Sequence, residues 1–301
     1  MDGWTLSRDV RELLNEAEES LYISDRTTYD YLYEAACFLN RRINWGTSSQ
    51  TITTVDGTSE YTLNNDFMGL FVKNTDGEFV LKLNDGTSDY WLTRSEYVTQ
   101  YYANNTDEVA IPYTFSIKDA SLTSQLSGTA TSDGAASNGE CTLTDSTAPF
   151  TDVSIGDLVH NTTDGSHGVV VAITSTSAIV CALFEGTNND WTSSDAYVIT
   201  FRGRYKIILD PTPSTSGYSL YVPYLQKPYP VYSYYRSYRF PDEYRGALAK
   251  YASWLYKYRD REPNYGDAWF KAFDLVAREA NYSSLKAKDS RKLKVFLKRI
   301  G

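Results

Sequence analysis

The chain has 301 residues, of which 42% are hydrophobic and 22% are charged, with 29 Lys and Arg against 38 Asp and Glu. These proportions are typical of a globular protein and exclude a largely disordered chain. No apolar run approaches the roughly 20 residues of a membrane-spanning helix, and the N-terminus lacks the pattern of a signal peptide. Three scattered cysteines and two histidines disfavour a disulfide framework or a zinc site, so we expect folding in a reducing cytoplasm without a cofactor.

Four helices are predicted from apolar residues at helical spacing: 6–22, 25–46 with Asp25 or Thr27 as its cap, one starting at Pro241 and one starting at Pro263. Alternating apolar residues and turn dipeptides predict strands within 50–63, 68–83, 111–119, 168–184, 196–201, 205–209 and 218–224. The segment 90–102 is predicted to form a short helix.

The charge divides the chain further. Residues 119–200 contain ten acidic residues and no Lys or Arg, whereas residues 285–301 contain seven basic residues and one acid. Such an asymmetry bears on partners and not on fold.

These elements predict an α+β fold, in which N- and C-terminal helix pairs form a helical bundle beside a small antiparallel β-sheet. The predicted domains are a body formed by 1–118 and 201–284, an inserted acidic all-β domain (a barrel or sandwich) at 119–200, and a basic C-terminal arm at 285–301.

Four motifs outside the acidic segment, in this order, resemble the head-to-tail adaptor (connector) proteins of tailed bacteriophages. They are ITTVDGTSEYTLNNDF (52–67), IPYTFSIKD (111–119), YKIILDPTPSTSGYSLYVPYLQKPYP (205–230) and FPDEYRGALAKYASWLYKY (240–258). Asn64 and Asn65 depart from the family pattern, which often has Leu-Pro there. In the family the second motif turns directly into the third, so 119–200 resembles an insertion at a hairpin tip, a site that tolerates added domains.

The resemblance implies a structural virion protein that is made in the host cytoplasm and sits at the neck of a short-tailed phage, a podovirus. It implies a homo-oligomeric ring, a dodecamer in the family, that binds beneath the portal protein. Such a ring extends the channel through which genomic DNA is ejected, without sequence specificity, and provides a platform for tail (nozzle or fibre) proteins. The implied role is assembly and not enzyme catalysis.

The basic arm combines positive charge with an apolar stripe, which suits a segment that orders when it binds a groove on a partner. The resemblance implies that this partner is the portal, whereas a solvated tail or an arm that contacts DNA phosphates remain alternatives. The predicted docking residues are Lys286, Lys288, Arg291, Lys292, Leu293, Lys294, Phe296, Leu297, Lys298 and Arg299.

A second candidate surface is the tyrosine-rich stretch KPYPVYSYYRSYRFPDEY, residues 227–244. We predict that it is a strand end, an extended connection over 230–239 and a helix start. Mixed tyrosine and arginine suit a groove for sugars or bases, but equally the core of a protein interface. We predict an inter-subunit seam formed by Tyr232, Tyr234, Tyr235, Arg236, Tyr238 and Arg239.

No catalytic or metal-binding set is predicted. His160 and His167 lie in turn-rich sequence and are predicted to be solvated loop residues, while Cys141 and Cys181 could face each other but are predicted to be buried free thiols. The main alternative function is a tail or baseplate component or a carbohydrate-binding tail module. An enzyme acting on the cell wall is a remote alternative, because no convincing carboxylate pair is present.

Overall fold

A computed structural model of the chain describes residues 1–16, 23–95, 109–120, 125–147, 149–259 and 266–280. The chain forms two compact units. Unit 1 consists of Met1–Trp45, Ser127–Ile199 and Pro228–Gly301, and unit 2 consists of Gly46–Leu126 and Thr200–Lys227. None of the helices in these described ranges is long and apolar enough to cross a membrane.

The described helices are α1 (Gly3–Leu14), α2 (Asp25–Ile43), α3 (Arg245–Arg259, after a 3-10 turn at Asp242–Tyr244) and α4 (266–280). The described strands are β1 (Thr47–Thr53), β2 (Glu60–Thr62), β3 (Phe67–Leu70), β4 (Val80–Asn84), β5 (Asp89–Arg94), β6 (Val109–Ala110), β7 (Thr114–Asp119), β8 (Gln125–Thr129), β9 (Cys141–Thr144), β10 (Leu158–Asn161), β11 (Ser166–Ser175), β12 (Ala178–Phe184), β13 (Ala196–Thr200), β14 (Tyr205–Asp210), β15 (Thr212–Pro213) and β16 (Ser219–Gln226).

The predicted fold class, a helical bundle with a small antiparallel sheet, is wrong. Strands dominate the fold, and they form an eight-stranded sheet and a six-stranded sheet, with β6 and β15 as a separate parallel pair. The physical reason is that the large sheet joins strands from distant parts of the chain. Local alternation can identify a single strand, but it does not show how many strands pair together.

Two helix ends differ from the predictions because asparagine and serine provide the caps. α1 ends at Leu14, since Asn15 adopts a left-handed φ of 57° and its N–H reaches the carbonyl groups of Arg11 and Glu12. α2 is capped by Ser24, whose side chain accepts from the N–H of Thr27 at 3.2 Å. Residues 17–22, in the remainder of the first predicted helix, and Pro263 lie outside the described residues.

The helices of unit 1 share one core with part of the six-stranded sheet. Leu6 and Leu32 from α1 and α2 and Leu248 from α3 are fully buried, which confirms that the late helices pack on the opening pair. Val169 of β11 and Ala182 of β12 belong to the same core. The six-stranded sheet, with strand order β8-β13-β10-β11-β12-β9, is therefore held directly against the helices.

Unit 2 is a nearly closed β-barrel. Its strands follow the order β1-β16-β4-β5-β7-β14-β2, with β3 also pairing with β16. The side chain of Gln50 on β1 bridges the two ends of this path, because it donates to the Thr62 carbonyl at 3.1 Å and accepts from the Asn64 N–H at 2.8 Å. At the junction of β1 and β2, the side-chain amide of Gln50 therefore makes the hydrogen bonds that backbone groups make between paired strands.

Two predictions in unit 2, one of a helix and one of a strand pair, had opposite outcomes. The short helix predicted over 90–102 is wrong for its first part, since 90–94 lie in β5, with Leu92 buried and Trp91 exposed as in an alternating strand. Residues 96–102 lie outside the described residues. The predicted pairing of the strand in 111–119 with that in 205–209 is confirmed, because β7 and β14 are antiparallel and Asp119 lies opposite Tyr205. The chain between these two residues therefore leaves and re-enters at a hairpin tip.

Candidate interaction surface

The tyrosine-rich stretch of unit 1 is held down at two points and exposed between them. Val231, Tyr232 and Tyr238 are buried, whereas Tyr234 and Tyr235 are exposed. The exposed fraction of Tyr235 is 72%, the highest among the large exposed hydrophobic side chains of the described residues. Because both flanks are anchored, the two exposed tyrosines lie on a constrained loop.

Tyr232 is the deeper of these anchors. Its hydroxyl donates to the Asp30 carboxylate on α2 at 2.6 Å, and its ring lies 6.0 Å from Tyr29 and 6.4 Å from Phe184 of β12. Burial raises the pKa of the Tyr29 and Tyr238 hydroxyls well above the ordinary value for tyrosine, so both phenols stay neutral. The anchors therefore tie the stretch to the helices and the six-stranded sheet together.

Arg236 makes the main polar contact of the stretch. Its guanidinium donates two hydrogen bonds to the Glu140 carboxylate, at 2.5 and 2.9 Å, and the Ser233 hydroxyl donates to the same carboxylate at 2.6 Å. A fork-to-fork contact of this kind fixes orientation as well as charge. Glu140 belongs to the acidic segment, so this ion pair joins the two parts of the sequence that composition had set apart.

The N-terminus and Trp45, which follows α2, fix the backbone of the stretch. The N–H of Gly3 donates to the Arg236 carbonyl, and the N–H of Tyr238 donates to the Met1 carbonyl, both at 2.9 Å. The Trp45 indole N–H donates to the Arg239 carbonyl, also at 2.9 Å. Residues 236–239 are therefore ordered by backbone contacts from two separate segments.

A groove of about 500 Å³ lies beside this loop. Ile155 and Ile173 of the acidic segment line it together with Tyr229, Tyr235 and Arg239. The guanidinium of Arg239 lies 5.6 Å from the centre of the Tyr229 ring, within the range of a cation–π contact. Exposed aromatic and aliphatic groups with an arginine at the edge have the composition of a protein interface.

The six residues of the predicted inter-subunit seam differ in their exposure and contacts. Tyr232 and Tyr238 are buried within the single chain, and Arg236 is engaged by Glu140. The accessible part of the predicted seam is thus Tyr234, Tyr235 and Arg239. All ten residues of the predicted portal-docking arm, within 285–301, lie outside the described residues.

Most of the acidity of 119–200 is used inside the fold. The carboxylates of Asp133, Asp157 and Asp195 accept hydrogen bonds from the backbone N–H groups of Ser193, Ser154 and Thr192, respectively, at 2.7–2.8 Å. Ser154 and Thr192 lie three residues before Asp157 and Asp195, and carboxylates that bond nearby backbone groups in this way stabilise turns. Asp133 instead joins segments that are 60 residues apart. Part of the acidity of this segment is therefore used to form turns and to tie the sheet together.

The predicted loop histidines are in fact strand residues. His160 on β10 lies directly opposite His167 on β11, because the turn signals in the sequence belong to the short connection between these strands. Cys141 and Cys181 also lie opposite each other and are free and buried, as predicted. Burial raises the pKa of the Cys141 thiol to about 12. Within the described residues, no group of three or more His, Cys, Asp or Glu side chains is arranged to hold a metal ion.

Sequence reasoning missed Glu140, Ile155 and Ile173. Nothing in the sequence around them indicates a contact with the tyrosine-rich stretch, which lies far along the chain from all three.

Residues 4–122 match the family model of the SU10 adaptor protein. This match spans α1, α2 and β1–β7, and it supports an adaptor-type structural protein of bacteriophages and hence a virion component. No curated protein sequence matches the chain.

Proposed function

We propose that this protein is a head-to-tail adaptor of a tailed bacteriophage, which assembles as a ring beneath the portal protein. The similarity of residues 4–122 to SU10 adaptor proteins carries the proposal. The antiparallel pairing of β7 with β14 supports it, because it gives the hairpin that the resemblance to the connector family requires. The proposed role is assembly and not catalysis.

In this proposal the ring extends the DNA channel and offers a platform for nozzle or fibre proteins, as in a short-tailed virion. Exposed Tyr234, Tyr235 and Arg239 meet the neighbouring subunit beside the apolar groove, since anchored aromatic residues with arginine are enriched in interface cores. The basic arm, 285–301, engages the portal, and its lysines and arginines are available to DNA phosphates without regard to sequence.

The arm is tested by mixing the purified chain with portal rings and counting occupied rings by electron microscopy. We expect the truncated chain 1–284 to remain folded but to be lost from the rings. A matched variant with Leu293, Phe296 and Leu297 replaced by serine keeps the charge and removes the stripe. If the truncated chain occupies portal rings as often as the full chain does, the proposal that the arm binds the portal is refuted.

The seam is tested separately by Tyr235→Ala, with Tyr258→Ala as its matched control. Tyr258 is also a highly exposed tyrosine of unit 1, at 62%, but it lies on α3 away from the stretch. Tyr235→Ala should reduce the number of subunits per portal ring, and Tyr258→Ala should not. An equal number of subunits per ring in both variants would contradict the proposal that Tyr235 lies between neighbouring subunits.

One observation favours the carbohydrate-binding alternative. Tyr221, Lys82 and Trp91 are successive cross-strand neighbours on the outer face of unit 2, and Trp91 is 63% exposed. Exposed aromatic rings on the surface of a sheet can stack on sugar rings. A glycan array distinguishes the two functions, because binding that Trp91→Ala abolishes would support the tail module, whereas the adaptor should bind no glycan.

A further inference from the structure

The two histidines of the chain form a stacked pair at the contact between the six-stranded sheet and α2. Their rings are 4.0 Å apart between centroids and inclined by 17°. Both side chains are half-buried. Near-parallel planes share no point at which one metal ion could lie in the plane of both rings, so this geometry suits two neutral imidazoles in contact and not a chelate.

The pair lies on the face of the sheet that packs against the helices. His167 is directly opposite Phe184 on β12, and the next residue on the same face of β11, Val169, belongs to the core shared with the helices. The Phe184 ring lies 6.2 Å from Tyr29 of α2. A displacement of β10 and β11 at the histidines would therefore be transmitted to the packing of the sheet on α2.

We propose that His160 and His167 form a pH-sensitive clamp. While both rings are neutral they stack and hold β10 against β11 at the edge of the shared core. When the second ring takes up a proton, two positive charges in contact push the strands apart and loosen the sheet from α2. This inference does not depend on the adaptor role.

The remaining charged groups around the pair are already engaged. Asp164, in the turn between β10 and β11, accepts from the Asn161 amide at 3.1 Å. Glu185, which follows β12, pairs with Arg26 of α2 at 3.7 Å, and Arg26 also pairs with Asp30 at 3.7 Å. Burial, and then the charge of His167, lower the pKa of His160.

The direction of the effect follows from this shift. A histidine whose pKa is lower in the folded protein binds fewer protons there than in the unfolded chain, so stability falls as pH falls. Its contribution to the free energy of unfolding is close to zero above the pKa of an unfolded histidine, about 6.5. Below that pH the contribution becomes increasingly unfavourable to the folded protein. The clamp should therefore be closed at neutral pH and loosen between about pH 6.5 and the lowered pKa of His160.

The titration can be followed directly, because these are the only two histidines in the sequence. We expect NMR of the histidine-labelled full chain to place the midpoint of His160 below the ordinary value for histidine, because burial and the charge of His167 lower its pKa. In His167→Gln, the midpoint of His160 should rise, because the neighbouring charge is absent. A His160 midpoint at the ordinary value that ignores this substitution would overturn the coupling.

The loosening is measured by hydrogen exchange at pH 7.5 and pH 5.0, corrected for intrinsic exchange rates. Protection of β10, β11 and α2 should fall more in the native chain than in the double variant His160→Gln/His167→Gln, because the variant has no imidazole pair to take up protons. Protection of unit 2 should change equally in both proteins and serves as the internal control. An equal loss in β10, β11 and α2 of both proteins would overturn the clamp. If the double variant does not fold, His160→Asn replaces it, with the same outcomes.

Discussion

Replacing Glu140 by alanine tests whether the tyrosine-rich stretch is anchored by the acidic segment. The substitution removes the acceptor of three hydrogen bonds, two from Arg236 and one from Ser233. It also leaves the Arg236 guanidinium, whose side chain is 32% exposed, without its carboxylate. We therefore expect lower stability of unit 1 and increased mobility of the exposed tyrosines.

The size of the effect follows from burial. A hydrogen bond to a charged group contributes roughly 1.5–3 kcal/mol when it is shielded, and much less in water. Since Glu140 is mostly buried and Arg236 only partly, Glu140→Ala should cost about 2 kcal/mol. Glu140→Gln keeps some of the hydrogen bonds and should cost about 1 kcal/mol. The coupling energy between Glu140→Ala and Arg236→Ala should be about 1–2 kcal/mol.

Urea unfolding followed by tryptophan fluorescence measures these values for unit 1 alone when Trp91 is replaced by phenylalanine, because the other five of the six tryptophans lie in unit 1. The exposed pair Arg8–Glu12, one helical turn apart on α1, is the matched control, and Glu12→Ala should cost at most about 0.5 kcal/mol. A coupling energy for Glu140 and Arg236 no larger than that of the control would refute the anchoring argument.

Two further substitutions test the two sheets. Gly168→Ala should prevent folding of the six-stranded sheet, because the added Cβ would lie 1.8 Å from a backbone oxygen of β12. The control Gly203→Ala meets no atom within 4 Å and should be neutral. Circular dichroism of both variants measures folding, and a stably folded Gly168→Ala protein would contradict the close packing. Gln50→Leu should destabilise the barrel by about 0.5–1.5 kcal/mol, because it removes two hydrogen bonds whose exposed partners at Thr62 and Asn64 then bond to water. An unchanged urea midpoint of unit 2 would show that the junction of β1 and β2 does not need the amide.

The sequence predicted individual elements better than their assembly. The stripe beginning at Tyr244 and the alternation of Leu220, Val222 and Tyr224 identified α3 and β16, because these patterns repeat over adjacent residues. The eight-stranded sheet was missed, since it depends on pairing between strands such as β1 and β16, which are about 170 residues apart. Local periodicity carries no information about such partners.

The candidate surface shows the same limit on a smaller scale. Composition drew attention to residues 227–244, but it could not separate Tyr232 from Tyr235, which are alike in sequence and differ completely in exposure. That difference is set by Asp30 and Phe184, which belong to an early helix and to the acidic segment. The charge of the acidic segment has a related explanation, because Asp157 and Asp195 accept hydrogen bonds from backbone N–H groups three residues away and Glu140 pairs with Arg236.

Anchoring of the loop also explains how a surface with little free charge could support specific assembly. Tyr232 and Tyr238 are fixed in the core, and Arg236 is fixed by Glu140, so the backbone that carries Tyr234 and Tyr235 is ordered before any partner arrives. Association then loses little conformational entropy at the aromatic contacts, and a small area can contribute more to affinity. Loosening of the six-stranded sheet would remove this advantage, because Phe184 of that sheet packs on Tyr232 and Glu140 directly precedes its strand β9. In the proposed ring, the stability of that sheet is therefore expected to control the affinity of the loop for the next subunit.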